Sequence, residues 1–139
     1  MTEPTTRARV LLADDHPGTT DLLCRVLQAE FEVVGCVRDG NALVAAAETL
    51  SPDVIVTDIA MPGLDGITAA TVILARNPAA RIIFVTVHDD RLLMERGLAT
   101  GALGYVLKPA AGDELLPAVR AALRGERHVI GALTAGSRD

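Results

Sequence analysis

Aromatic side chains are almost missing from this 139-residue chain: Phe31, Phe84 and Tyr105 are the whole set, and there is no tryptophan. So few aromatics argue against a platform for stacking nucleic-acid bases, and the core must be filled by Ala, Val, Leu and Ile. Lysine is scarcer still, since Lys108 stands alone against twelve arginines. The formal charge of -5 argues against a surface made for nucleic acid, which wants a basic stripe. Two cysteines, Cys24 and Cys36, lack CxxC spacing and nearby histidines, and are expected to be reduced, partly buried small hydrophobes. No apolar run is long enough to span a bilayer, and the polar segment 1–9 has no signal-like apolar stretch. The cytoplasm is the expected location, with no membrane partner. Internal repeats are absent, as are GxGxxG and GxxxxGK[ST] after the first apolar run, which argues against a nucleotide-binding oxidoreductase.

What is present alternates. Half of the residues are apolar, and the length suits one domain. Residues 8–13 (ARVLLA), 31–37, 53–57 (DVIVT), 81–86 (RIIFVT) and 103–107 are short apolar or branched runs, expected as strands buried on both faces. Between them lie helical patterns. Pro17 suits the first turn of a helix reaching about residue 30, with Leu22, Leu23, Val26 and Leu27 on one face. Further helices are expected over 41–50, 66–76, 91–100 and 114–124, the last with a stripe of Leu115, Leu116, Val119 and Leu123. Asp39-Gly40, Ser51-Pro52, Asn77-Pro78 and Gly101 punctuate the series. Five strands alternating with five helices predict an α/β fold, a doubly wound parallel sheet with helices on both faces. Residues 1–7 are expected as a disordered N-terminus and 8–125 as the domain. Residues 126–139 are expected as a fraying tail or the start of a linker.

The chemistry is positional. Asp14 and Asp15 follow the first strand, Asp58 the third, Thr86 ends the fourth and Lys108 follows the fifth. All of these are carboxyl ends, the rim at which parallel sheets bind ligands. Carboxylates gathered there repel one another, and a hard divalent cation relieves the repulsion through oxygen ligands. Beside such an ion one carboxylate can attack a phosphorus atom, while a hydroxyl and an ammonium stabilise the equatorial oxygens. The bland alternatives are a helix N-cap for Asp14-Asp15, a loop acid for Asp58 and a strand residue for Thr86.

Asp14-Asp15, Asp58 followed by Met61-Pro62-Gly63 and Asp65-Gly66, then Thr86 and Lys108-Pro109, resemble the signature of bacterial response-regulator receiver domains. The likeness runs from about residue 9 to 124. The run Asp14-Asp15-His16-Pro17 and the segment 125–129 (GERHV) resemble the NarL/FixJ subfamily, whose members usually carry a LuxR-type helix-turn-helix after the receiver. The resemblance implies a flavodoxin-like fold with five strands in the order 2-1-3-4-5. It implies Asp58 as phosphoacceptor and a Mg²⁺ cofactor held directly by Asp15 and Asp58, by Asp14 through a water, and by the Ala60 carbonyl. Thr86 and Lys108 would assist the transfer, and the Lys108-Pro109 bond would be cis. Thr86 and Tyr105 would form the switch, although Tyr105 also fits a half-buried strand tyrosine.

Positions Ala60 and His88 sit where the family tunes dephosphorylation. His16 is expected to pack at the crevice mouth without chemistry, and His128 in the tail is uninformative. The implied partners are a sensor histidine kinase and a second copy on activation. DNA would be reached only through a C-terminal helix-turn-helix, which needs roughly 60 residues beyond Asp139. The chain would catalyse only its own modification and would not be an enzyme in the ordinary sense. A haloacid-dehalogenase phosphatase also forms a phosphoaspartate, but it wants Asp-x-Asp, and Ala60 occupies the second acidic place. A receiver-like adaptor that is never phosphorylated is the remaining rival, and the full set of acids argues against it.

Overall fold

Residues 7–129 are described by the structure, a computed structural model; the segments 1–6 and 130–139 lie outside the described residues. Strand β1 (Arg9–Ala13) leads into α1 (Pro17–Gln28), β2 (Glu32–Val37), α2 (Gly40–Leu50) and β3 (Val54–Thr57). Next come α3 (Gly66–Arg76), β4 (Ile82–Thr86), α4 (Arg91–Ala99), β5 (Gly104–Leu107), a 3-10 turn (Lys108–Ala110), α5 (Ala111–Leu123) and β6 (His128–Val129). All strand pairs are parallel, in the order β2-β1-β3-β4-β5-β6. The expected order is kept, with one correction: the sheet has six strands instead of five.

The sixth strand has a local cause. After α5, Gly125 adopts a φ of +75°, a left-handed turn that glycine reaches without strain. It returns the chain alongside β5, where the His128 amide donates to the Leu103 carbonyl at 2.8 Å. His128 Nε2 also meets Glu114 Oε1 of α5 at 2.7 Å. A two-residue strand leaves no period to read, so the sequence pattern was silent there.

The interior strands carry the core. Val10, Leu11, Leu12 and Ala13 of β1 are fully buried, as are Val54 and Val56 of β3 and Ile82, Ile83 and Phe84 of β4. Continuous apolar runs of this kind arise because crossover helices cover both faces of a parallel sheet. Helix α1 packs on α5, and α2 packs on α3. Among the described residues no helix is long and apolar enough to cross a membrane.

Caps set the helix starts. The Asp39 carboxylate accepts from the Ala42 amide at 2.8 Å, Asp65 from Thr68 at 2.8 Å, and Asp90 from Leu92 at 2.9 Å. Three expectations need correction. In α1, Leu22 faces solvent, because the buried face is carried by Leu23 and Leu27 with Cys24 and Val26 packed beside them. Helix α5 begins at Ala111, directly on the 3-10 turn, and buries Leu115, Ala118, Val119, Ala121 and Ala122, while Leu116 and Leu123 lie at the margin. Cys36 is exposed, since edge strand β2 is paired on one side only, and its sulfur lies 3.3 Å from that of Cys24.

Candidate functional site

Backbone pairing at the carboxyl rim assembles the site before any side chain is considered. Ala13 stands opposite both Thr57 and Val37 in the sheet. The amide of Asp58 donates to the Ala13 carbonyl at 2.9 Å, and the amide of Asp14 donates to the Val37 carbonyl at 3.0 Å. Asp14 and Asp58 thus leave adjacent strands side by side. Thr86 is paired with Leu107 one strand further on, so Lys108 emerges at the same rim.

Lys108 joins the two acids. Its Nζ lies 2.8 Å from Asp58 Oδ2 and 2.8 Å from Asp14 Oδ2. The Asp58 contact is an aligned hydrogen bond; the Asp14 contact is close in distance only, so Asp14 Oδ2 has an ion pair but no directed donor. Burial alone would lower the lysine pKa, but the bonds and charges of Asp14 and Asp58 outweigh it and hold the pKa above its ordinary 10.5. The Lys108–Pro109 bond is trans, which corrects the expected cis bond. Lys108 opens the 3-10 turn directly at the end of β5, and from there the long side chain reaches the acids unaided.

The other oxygen of Asp58 is fixed by its own loop. Oδ1 accepts from the Ile59 amide at 2.6 Å and, more weakly, from Ala60 at 3.4 Å. Thr57 donates its hydroxyl to the Asp58 carbonyl at 2.9 Å. Segment 58–65 folds back so tightly that a Cβ on Gly66 would sit 2.0 Å from the Asp58 carbonyl oxygen. Gly63 turns the loop with φ +72°. The motif Met61-Pro62-Gly63 with Asp65-Gly66 is therefore the loop that orients the acid.

Asp14, Asp15, His16 and Asp58 can each bring a ligand atom within 4.8 Å of the others. Asp14 Oδ2 and Asp15 Oδ1 are buried without a hydrogen-bond donor. The first meets the Lys108 ammonium at 2.8 Å and the second the His16 ring at 3.1 Å, so three carboxylates share one ammonium and one imidazole, a crowding of negative charge that a further cation relieves. Oxygen donors of this type suit a hard divalent ion, so the residues fit a Mg²⁺ site. Ala60 lines an open depression together with Asp15, His16, Met61, Pro62 and Asp65.

His16 stands at the crevice mouth, as expected, and close to two of the acids. Its Nδ1 lies 3.1 Å from Asp15 Oδ1 and 3.3 Å from Asp14 Oδ1, and its amide donates to Asp14 Oδ1 at 2.8 Å. Its adjacency to two acids was the available signal. Thr57 carried no signal beyond its neighbour.

Thr86 and Tyr105 are both fully buried. The Thr86 oxygen accepts from the His88 amide at 3.3 Å, and the Tyr105 hydroxyl donates to the His88 carbonyl at 2.7 Å. The backbone of His88 thus links the two, and this exposed histidine holds them through its peptide groups. Burial first, then the charges of Asp90, Asp89 and Asp58, push the Tyr105 phenol up to about 12. Among the described residues Thr86 makes no hydrogen bond to the acids.

Residues 10–120 match the model of the response regulator receiver domain. The chain belongs to that family. As a receiver, it is 38% identical over 122 residues to the transcriptional regulatory protein YxjL of Bacillus subtilis, covering 86% of this chain and 56% of the relative. It is 40% identical over 122 residues to LiaR of the same organism, covering 85% and 57%. The receiver thus spans little more than half the length of these curated relatives. Among solved structures, the receiver domain of NarL from Mycobacterium tuberculosis superposes with a TM-score of 0.83 at 30% identity, covering 88% of this chain and all of that one. A LuxR-family response regulator from Aurantimonas superposes at 0.87 and 31%, covering 94% of each. The NarL/LuxR-type likeness of the sequence is therefore matched by its relatives.

Proposed function

We propose that this receiver is phosphorylated on Asp58 and acts as the input switch of a two-component transcriptional regulator. The observation that carries the reading is the Lys108 ammonium, 2.8 Å from both Asp58 and Asp14, in a crevice where Asp15 adds a third carboxylate. Mg²⁺ held by Asp15 and Asp58, by Asp14 through a water and by the Ala60 carbonyl would screen the acids and neutralise phosphoryl oxygens. A sensor histidine kinase, or a small acyl phosphate, is the donor. An Asp58 carboxylate oxygen forms the new O–P bond as the donor's bond to phosphorus breaks, giving an aspartyl phosphate.

Readout follows from the bonds of Thr86. Its hydroxyl, which now accepts from His88, turns to donate to a phosphoryl oxygen, while Lys108 pairs with the new charge. Losing that bond loosens the His88 peptide and with it the anchor of the Tyr105 hydroxyl. The switch thus couples Asp58 to the surface around α4, β5 and α5, where a second copy docks or an output domain is released. The α1–α5 face is the alternative dimer surface. DNA is reached only through a helix-turn-helix output domain, and the whole operates in the cytoplasm. A solved complex of the two-component response regulator RcsB with DNA superposes at a TM-score of 0.85 and 29% identity over 94% of this chain, which supports an output of that kind. The receiver turns over no external metabolite, and its one reaction is its own modification.

Incubation with acetyl phosphate and Mg²⁺ should add one phosphoryl group to the intact mass, and chelation should prevent it. Asp58→Asn should remain unmodified. A variant modified as fast as the parent protein would defeat the assignment.

A further inference from the structure

The only two cysteines of the chain are 12 residues apart in sequence, yet their sulfurs lie 3.3 Å from each other. Cys24 sits on α1 and Cys36 on the edge strand β2, and Cys36 is exposed. Neither takes part in the acid crevice. An S–S bond is about 2.05 Å long, so a shift of roughly 1 Å shared by two side chains closes it. Edge position and exposure give an oxidant access that core cysteines lack.

We propose that Cys24 and Cys36 form a reversible redox pair, oxidised to an intramolecular disulfide by a hydroperoxide. Partial burial, then the Cys24 sulfur and the Asp21 carboxylate, push the Cys36 thiol up to about 12, and Cys36, 3.3 Å from Cys24, is assigned the resolving role. In the first step the Cys24 thiolate forms an S–O bond to the distal peroxide oxygen. The O–O bond breaks, and the alcohol or water leaves after taking up a proton. In the second step the Cys36 sulfur attacks Cys24 Sγ. The S–S bond forms, the S–O bond breaks, and the Cys36 proton departs with the hydroxide as water. Two electrons pass from the sulfurs to the peroxide. Loss of charge at Cys24 in the first step also removes one of the influences that held the Cys36 proton.

The product staples β2 to α1 beside Val37, whose carbonyl holds the Asp14 amide. In a reducing compartment such a bond, with the exposed Cys36 as one partner, is transient and responsive to oxidant, not a permanent brace. The inference does not depend on the phosphorylation of Asp58.

The test treats the full chain with hydrogen peroxide and counts free thiols after denaturation. Both thiols should be lost together, with a mass lower by two hydrogens, a Cys24–Cys36 cross-linked peptide in the digest, and full recovery with dithiothreitol. Cys36→Ser should stop at a sulfenic acid on Cys24 that dimedone traps, and Cys24→Ser should react about tenfold more slowly. Wild-type protein that gains oxygen atoms at either cysteine, or forms only intermolecular dimers, without the internal cross-link would overturn the proposal.

Discussion

Lys108 is held where a lone ammonium must satisfy two buried carboxylates, and the consequence is measurable without any phosphodonor. Lys108→Met keeps the length of the side chain but leaves the buried carboxylates of Asp14 and Asp58 facing each other without their ammonium. The variant should lose about 3 kcal/mol in chelator, the low end for a broken buried pair because Asp58 keeps its amide donors. Millimolar Mg²⁺ should restore part of that loss, by occupying the acids in place of the ammonium. Denaturant unfolding with and without Mg²⁺ measures both, and an undiminished stability in chelator would count against the pairing. Tyr105 offers a cleaner titration, since no tryptophan and no second tyrosine obscure it. Its pKa is raised in the fold, so the neutral phenol stabilises fully below the ordinary 10.0, and that contribution is lost as the pH climbs toward about 12. Phenolate absorbance should therefore rise near pH 12 in native protein. An inflection at 10 before unfolding would contradict a buried phenol bonded to His88.

Strands and helices here were readable to the extent that each side of them is buried. Helix α3 runs Gly66–Arg76, as the sequence pattern predicts, because Asp65 caps it and Asn77-Pro78 cannot continue it. Interior strands β1, β3 and β4 were legible as unbroken apolar runs. The edges were not. Strand β2 is half exposed, which hid the true environment of Cys36, and β6 is too short to show a pattern. The tightest element is the Asp58 loop, whose closure depends on an absent Cβ. Gly66→Ala would drive a methyl to 2.0 Å from the Asp58 carbonyl oxygen, well inside contact distance. The loop must shift, so the variant should lose about 2 kcal/mol of stability or more and phosphorylate poorly even with Asp58 intact. Thermal unfolding and acetyl phosphate labelling check it together, and unchanged values in both would show that the loop is slacker than its hydrogen bonds imply.

Convergence across the sheet was the most legible feature of all. Because parallel strands end on one rim, positions far apart in sequence were expected to meet, and Asp14, Asp15, Asp58 and Lys108 do. What could not be read was detail set by tertiary contacts. Examples are the trans Lys108–Pro109 bond, the closeness of His16 to both acids, and the His88 peptide linking Thr86 to Tyr105. Each depends on how neighbouring loops settle, which no local pattern encodes. The central claim is that this gathering of groups makes Asp58 the one phosphorylated side chain. Borohydride converts an aspartyl phosphate to homoserine, so the modified position can be located by peptide mass spectrometry. After labelling with acetyl phosphate and Mg²⁺, homoserine is predicted at position 58 alone. Homoserine at 14, 15 or 65, or a phosphoryl group on His16, would contradict the account.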